Sequence, residues 1–120
     1  MRLKDLEIYQ ISRNISKYAW GIYINFDWSD RKIMGDQWIT SIDSIGANIA
    51  EGFGRFHYLD KNKFNYNARG SLLEAIHWTE LLEERKKLNT DEIAFFVSKF
   101  EELHPKINNY IKSTKEQVSR

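Results

Sequence analysis

The sequence contains no cysteine, a single proline and only six glycines among its 120 residues. The absence of cysteine excludes a disulfide scaffold and any catalysis by a thiolate. The scarcity of proline and glycine excludes collagen-like and low-complexity chains. The chain also lacks an apolar run of about 20 residues, the length that spans a bilayer, and its charged start has no apolar secretory signal. We therefore expect a cytoplasmic protein with no membrane association.

The charge of the chain is almost balanced. Eighteen Lys and Arg residues oppose seventeen Asp and Glu residues, which leaves a net charge of +1. Dedicated nucleic-acid-binding domains are typically strongly basic, so any nucleic-acid role has to depend on local charge. Hydrophobic residues make up 42% of the sequence, enough for one core without a metal or a cross-link. We expect residues 1–120 to form a single domain.

Apolar residues recur at three- and four-residue steps nearly from end to end, which is the pattern of amphipathic helices. Turn-like segments divide this pattern into four predicted helices. They cover about residues 4–25, 29–53 and 60–88, and the chain from residue 89 or 90 onwards. Short connections favour antiparallel neighbours. The predicted fold is therefore all-α, an antiparallel up-down-up-down four-helix bundle.

Capping signals mark the starts of three of these helices. Ser29 or Asp30 is expected to cap the second helix, and Asp60 the third. Asn89 is followed three residues later by Glu92, the spacing of a capping box, in which each residue satisfies a backbone amide of the other. The fourth helix is therefore expected to begin at this pair.

The fourth predicted helix carries a heptad-like apolar seam. Its expected core positions are Ile93, Val97, Phe100, His104, Ile107 and Ile111, widened by Phe96, Leu103 and Tyr110. Pro105 lies inside this helix and removes one hydrogen bond, so we expect a bend there while the helix continues. Gly52 and Gly54 are expected to end the second helix.

The third predicted helix is apolar on two sides. A helical wheel places Leu73, Leu81 and Leu88, with His77 between them, opposite the core stripe. One core cannot bury both sides, and 120 residues provide no further layer, so we expect this side to contact another copy of the chain. The alternative is that these leucines lie partly exposed, as single leucines often do.

Two segments of the second and third helices resemble a known family. Ser44-Ile-Gly-Ala-Asn48-Ile-Ala-Glu51-Gly52-Phe-Gly54-Arg55 and Ala68-Arg69-Gly70-Ser71-Leu72-Leu73-Glu74 are similar to the four-helix 23S rRNA intervening-sequence proteins. The family-typical positions are Ser44, Asn48, Glu51, Gly52, Gly70 and Glu74. The resemblance implies a small bundle that assembles as a homopentamer and has no established catalytic activity. A related branch, the accessory variability determinant of diversity-generating retroelements, implies instead a reverse transcriptase and RNA as partners.

The local charge is uneven. Residues 52–70 and residues 104–120 each carry four basic residues against one acidic residue, a local +3, whereas residues 71–103 carry −4. We expect the topology to place the two basic segments at opposite ends. The first segment interleaves cations with aromatic rings, which can neutralise phosphates and stack on unpaired bases. Its candidate nucleic-acid-binding residues are Arg55, His57, Tyr58, Lys61, Lys63 and Arg69. The alternative is a turn whose aromatics join the core and whose lysines are merely solvated.

Two Glu-x-x-His pairs are the strongest enzyme-like signal, because paired motifs of this kind hold di-iron sites in helical bundles. On the helical wheels, however, the pair Glu74 and His77 does not converge with the pair Glu101 and His104. No phosphate-binding loop and no nucleophile elbow are present. We expect no catalytic residue, metal or cofactor. The predicted function is binding or scaffolding, with RNA, ribosomal RNA included, as the first-choice partner, and an accessory protein-interaction subunit as the alternative.

Overall fold

Four long helices make up most of the structure, a computed structural model that describes residues 1–117. They are α1 (Glu7–Tyr23), α2 (Asp36–Phe53), α3 (Tyr58–Glu84) and α4 (Thr90–Glu116). A short 3-10 helix (Leu3–Asp5) precedes α1, and a helical turn (Trp28–Asp30) continues through a π-helical segment (Arg31–Gly35) into α2. Within residues 1–117 there is no β-strand, which confirms the all-α prediction. None of the described helices is long and apolar enough to cross a membrane.

The starts of the second and third helical segments differ from the predicted caps. The side chain of Asp27 accepts a hydrogen bond from the backbone amide of Asp30 (2.8 Å), so the cap lies two or three residues before the predicted positions. Helix α3 begins at Tyr58, which places Asp60 in its first turn instead of at its cap. Asp60 is still well placed there, since a carboxylate in the first turn interacts favourably with the helix dipole.

Helix α4 begins and continues as the sequence predicts. The amide of Glu92 donates to the side chain of Asn89 (2.8 Å), and the amide of Asn89 donates to the side chain of Glu92 (2.9 Å). Both halves of the predicted capping box are therefore formed. The helix runs through Pro105 without interruption to Glu116.

Helix α3 ends earlier than predicted, and this changes the position of Leu88. After Glu84 the chain reverses: Lys86 adopts a left-handed conformation (φ 58°), and the amide of Lys87 donates to the carbonyl of Leu82 (2.8 Å). These two features form a helix-terminating Schellman motif. The chain then returns Leu88 to the core, where it is only 7% exposed. The assignment of Leu88 to an outer interface is therefore wrong.

The core surrounds Trp38, which is fully buried. Its indole nitrogen donates to the hydroxyl of Thr79 (3.0 Å), and its ring meets Phe96 edge to face at 5.5 Å between centroids. Each fully buried Leu, Ile or Phe side chain around it contributes about 1.5–3 kcal/mol of transfer free energy. The other large, fully buried apolar residues are Ile15, Ile42, Ile45, Ile49, Leu72, Leu82, Leu103 and Ile107.

Two positions that the sequence predicts in the core are more exposed than expected. Val97, assigned to the core seam of the fourth helix, is 45% exposed, and His104 of the same seam is only half-buried. Phe96 and Leu103 occupy the core instead, so the seam is rotated by about one residue. Ser41 of the second helix is also buried, and its hydroxyl donates to the carbonyl of Trp38 (2.8 Å).

Contacts between helices pair residues in opposite order along neighbouring elements. Residue numbers rise along one helix while they fall along the helix beside it. The pairs are Ser16 with Asp43 and Tyr23 with Asp36, Trp38 with Thr79 and Gly52 with Phe64, Asn62 with Ile111 and Arg69 with Asn108, and Glu7 with Lys106 and Tyr18 with Phe95. As a result, the connection between α2 and α3 lies at the same end of the molecule as the last turns of α4.

Candidate nucleic-acid interface

The two basic segments of the sequence meet at one end of the molecule. The ammonium nitrogen of Lys115 lies 5.5 Å from the ring centroid of Tyr66, and the guanidinium carbon of Arg69 lies 5.1 Å from the same centroid. The side-chain amide of Asn62 donates to the carbonyl of Ile111 (3.2 Å). The prediction that the two segments lie at opposite ends is therefore wrong. When four helices alternate in direction, the second connection and the end of the fourth helix lie on the same side.

A buried pair of asparagines fixes this junction. Asn62 and Asn65 are 3% and 2% exposed, and the amide of Asn65 donates to the side-chain oxygen of Asn62 (2.9 Å), while Asn62 bonds the backbone of α4. The end of α2 approaches the same pair at Gly52, where an added β-carbon would lie 3.3 Å from the side-chain oxygen of Asn65. The pair was missed from the sequence, although its positions extend the Ala68 and Leu72 stripe by two further helical steps.

Two of the predicted binding cations are engaged within the protein. Arg55 forms an ion pair with Glu51 (2.5 Å) and packs against the ring of Phe64 at 4.9 Å. The ammonium of Lys61 donates to the carbonyl of Phe53 (3.1 Å), one of the last carbonyls of α2. Both residues therefore stabilise the end of α2 and are less suited to contact a phosphate.

Three other cations have no acidic partner in the part of the chain that the structure describes. Lys63 is exposed and lies 5.9 Å from the ring centroid of Phe64. Arg69 donates to the neutral side chain of Asn108 (3.0 Å), and Lys115 packs on Tyr66. Lys115 was not among the predicted binding residues, because it belongs to the segment assigned to the other end. Lys63, Arg69 and Lys115 are called the cation cluster below.

The aromatic residues of this end differ sharply in exposure. Phe56, in the connection between α2 and α3, is 92% exposed. The ring of His57, which is also exposed, meets the ring of Phe56 edge to face at 5.2 Å between centroids. Tyr58, another predicted binding residue, is half-buried at the first position of α3. The arrangement offers one exposed aromatic ring at the same end of the molecule as the cations.

The family-typical residues of α2 have close contacts within the described chain, whereas those of α3 have a weak contact or none. Ser44 and Asn48 donate to backbone carbonyls of their own helix (2.7 and 2.9 Å), and Gly52 is packed tightly against α3. Glu74 accepts a long hydrogen bond of 3.4 Å from an indole of its own helix. At Gly70 an added β-carbon would meet nothing within 4 Å, so packing within the described chain gives no reason for a glycine there.

The outer side of α3 keeps most of its predicted exposure. Leu73 is 50% exposed, His77 is exposed and Leu81 is half-buried. Next to them, α3 and α4 form a groove of about 400 Å³ that is lined in part by Ile76 and Val97. This side of the molecule is the more apolar candidate for a contact with another protein chain.

The enzyme-like motifs do not assemble into a site. Among residues 1–117 no three His, Asp or Glu side chains lie close enough together to hold a metal ion. His77 is exposed on α3, and Glu101 and His104 line the groove between α3 and α4.

Most of the chain is similar to a known protein family and to a known structure. The model of the family described as 23S rRNA-intervening sequence protein matches residues 4–109. A solved structure with a similar fold is that of a protein of unknown function from the S23 ribosomal protein family of Bacteroides thetaiotaomicron VPI-5482. The two chains are 22% identical, the match covers 88% of this chain and 98% of that chain, and the TM-score is 0.78. No curated protein matches the chain.

Proposed function

The chain belongs to the family of 23S rRNA-intervening sequence proteins, as its motifs predict, and from this premise we propose that it is a non-catalytic RNA-binding protein of the cytoplasm. The binding surface is the end that carries the cation cluster. The observation that supports this proposal best is the convergence of Arg69 and Lys115 on the ring of Tyr66. Basic residues from two separate segments thereby meet on one surface of a nearly neutral protein, whereas Arg120 of the second segment lies outside the described residues.

Electrostatics favour a polyanion at this surface. Phosphate groups are attracted by Lys and Arg side chains, and each neutralised phosphate releases condensed counterions. In the described chain the cation cluster has no carboxylate within salt-bridge distance that would compete for these charges. The rings of Phe64 and Tyr66 hold the three side chains of the cation cluster at the surface, which limits the entropy that they lose on binding.

We also propose that residues 1–120 form one antiparallel up-down-up-down bundle that assembles with further copies, as a ring of five. The opposite order of contacts along neighbouring helices supports the antiparallel arrangement. The exposed Leu73 on α3 and the exposed Val97, which lines the groove between α3 and α4, support a contact between copies. A ring would repeat the cation cluster, so that several weak phosphate contacts could act together.

A salt titration tests the RNA-binding proposal. Affinity for a single-stranded RNA is measured by fluorescence anisotropy at several salt concentrations for the wild type and for Lys63→Glu with Lys115→Glu. Loss of two phosphate contacts is expected to weaken binding and to reduce the slope of log affinity against log salt by about 1.4. Lys61 is left unchanged, because its ammonium bonds the carbonyl of Phe53 at the end of α2.

A matched control removes the same charge elsewhere. Lys17→Glu with Lys32→Glu changes two exposed lysines. Tyr18, next to Lys17, stacks on Phe95, twenty residues before Lys115 and about 30 Å along the helix. The control is expected to keep the wild-type slope. Equal effects of both double variants would mean that net charge, and not the cation cluster, determines binding. Wild-type affinity that does not depend on salt would refute the proposal and favour an accessory protein-interaction subunit, for example of a reverse transcriptase.

A further inference from the structure

We propose that Phe56 is a stacking platform for an unpaired base, and that the ligand class of the cation cluster is therefore single-stranded rather than double-stranded RNA. This inference rests on the proposed RNA-binding function and adds the chemistry that selects the ligand.

The first observation is the exposure of Phe56. Large apolar side chains are usually buried, yet this phenylalanine is 92% exposed at the surface of a nearly neutral protein. Hydrogen bonds hold the connection on both sides of it: the amide of Arg55 donates to the carbonyl of Gly52 (3.1 Å), and the amide of Lys61 donates to the carbonyl of His57 (2.9 Å). The backbone on which the ring stands is therefore anchored to the ends of α2 and α3.

The second observation is that the neighbouring aromatic rings already contact cations. Phe64 has Arg55 at 4.9 Å and Lys63 at 5.9 Å from its centroid, and Tyr66 has two cations at similar distances. A base stacking on either ring would compete with these cations. Phe56 contacts one ring, that of His57, in an edge-to-face pair that can cover at most one of its faces, and its side chain is 92% exposed. Among the aromatic rings described at this end, Phe56 is thus the best suited to stack.

Third, the cations and the ring of Phe56 contact different parts of an RNA strand. The cation cluster supplies sequence-independent attraction to phosphates, which single and double strands share. A ring on a loop adds affinity only where a base is unpaired, because paired bases are enclosed in their own stack and the major groove of an RNA helix is deep and narrow. Stacking on Phe56 would therefore convert general attraction into a preference for single strands.

The experiment compares three ligands with equal labels: a single-stranded RNA of twelve nucleotides, the same backbone with internal abasic riboses, and a blunt duplex of the same sequence. Wild-type protein is expected to bind the intact single strand about tenfold more tightly than the abasic strand, as the loss of one stacked base requires. Phe56→Ala should reduce affinity for the intact strand by about the same factor and leave the abasic affinity unchanged. Phe56→Tyr should retain the preference.

Leu59→Ala is the matched control, because Leu59 is also exposed (69%) on the first turn of α3 but has no aromatic face. It is expected to bind all three ligands like the wild type. A strand with 2-aminopurine provides a direct readout of stacking: its fluorescence should fall on binding to the wild type and much less on binding to Phe56→Ala.

The outcomes separate this inference from the proposed function. Salt-dependent binding of all three ligands with equal affinity would overturn the stacking platform and leave the phosphate contacts intact, and so would a Phe56→Ala variant that keeps the wild-type preference. If none of the three ligands is bound in a salt-dependent manner, both the stacking platform and the RNA-binding proposal are overturned.

Discussion

At the scale of single residues, Gly52 and Gly70 differ in the space that surrounds them. A β-carbon at Gly52 would lie 3.0 Å from the carbonyl oxygen of Lys61 and 3.1 Å from the β-carbon of Phe64, so helix α2 or α3 would have to move. Gly70 lies within α3 with open space around it. Gly52→Ala is expected to lower the free energy of unfolding by about 1–3 kcal/mol. Gly70→Ala is expected to raise it by about 0.5–1 kcal/mol, because alanine favours the helix.

Urea denaturation followed by circular dichroism measures both glycine variants. A stabilised Gly52→Ala would mean that α2 and α3 are less closely packed than their backbones indicate. A Gly70→Ala variant that is stabilised as a single chain but assembles less well would place Gly70 in a contact between copies.

The sequence predicts some helix ends correctly and one of them wrongly, for local physical reasons. Gly52, Gly54 and the capping box of Asn89 gave correct helix ends because their signals are strong. The end of α3 was missed because Lys86 occupies the left-handed position that glycine usually fills, so nothing in the sequence indicated that the chain turns before Leu88.

At the scale of helices, the burial of Tyr110 beside the start of α1 predicts that the stability of the fold depends on pH. Tyr110 lies on α4 beside Leu6, and burial raises the pKa of its phenol above the ordinary value of 10.0. A raised pKa means that the folded state holds the proton more tightly than the unfolded chain. The stability that this gives is complete below pH 10 and is lost as the pH rises through the raised pKa.

Tyr110→Phe is therefore expected to lose less stability than the wild type between pH 8 and about pH 11. The decline should be reduced and not abolished, because the hydrogen bond to Asp36 also raises the pKa of Tyr23 and the contact with Glu7 raises that of Lys106. Denaturant midpoints measured across this range decide the matter. Parallel declines in both proteins would show that Tyr110 is not desolvated.

The side of α4 that faces the core could be predicted only in part from the sequence. Nine apolar or aromatic-like positions made its stripe too wide for periodicity to select between Val97 and Phe96. The selection depends on Trp38, since Phe96 meets its ring edge to face while Val97 remains 45% exposed. Such a choice requires the neighbouring helix and cannot be made from one helix alone.

At the scale of the whole molecule, the proposed contact between copies lies on the side of α3 and α4 that exposes Leu73 and Val97. Leu73→Asp with Val97→Asp is expected to convert an assembly into monomers, as measured by light scattering at micromolar concentration, because buried carboxylates without partners are strongly unfavourable. Both residues are about half exposed (50% and 45%), so the helical circular dichroism spectrum should remain unchanged. Leu81 is left intact, since it is half-buried.

The matched control is Leu59→Asp with Ile33→Asp, which places the same charges at apolar residues that are 69% and 61% exposed. This control is expected to remain assembled. If the Leu73 and Val97 variant also remains assembled, the groove is not the contact between copies, and a monomeric wild type would refute self-association as a whole.

The start of α1 and the last turns of α4 lie at the same end of the molecule, and this has a practical consequence for tagged forms of the protein. Leu6 and Ser113 line the same groove, and Glu7 contacts Lys106, so the first residues of the chain run beside the last turns of α4. A histidine tag, fusion partner or sensor-chip linkage joined to the first residues would therefore lie at the end of the molecule that carries the last turns of α4 and Lys115. Dyes and anchors are better attached at the far loop, through the exposed side chain of Lys86.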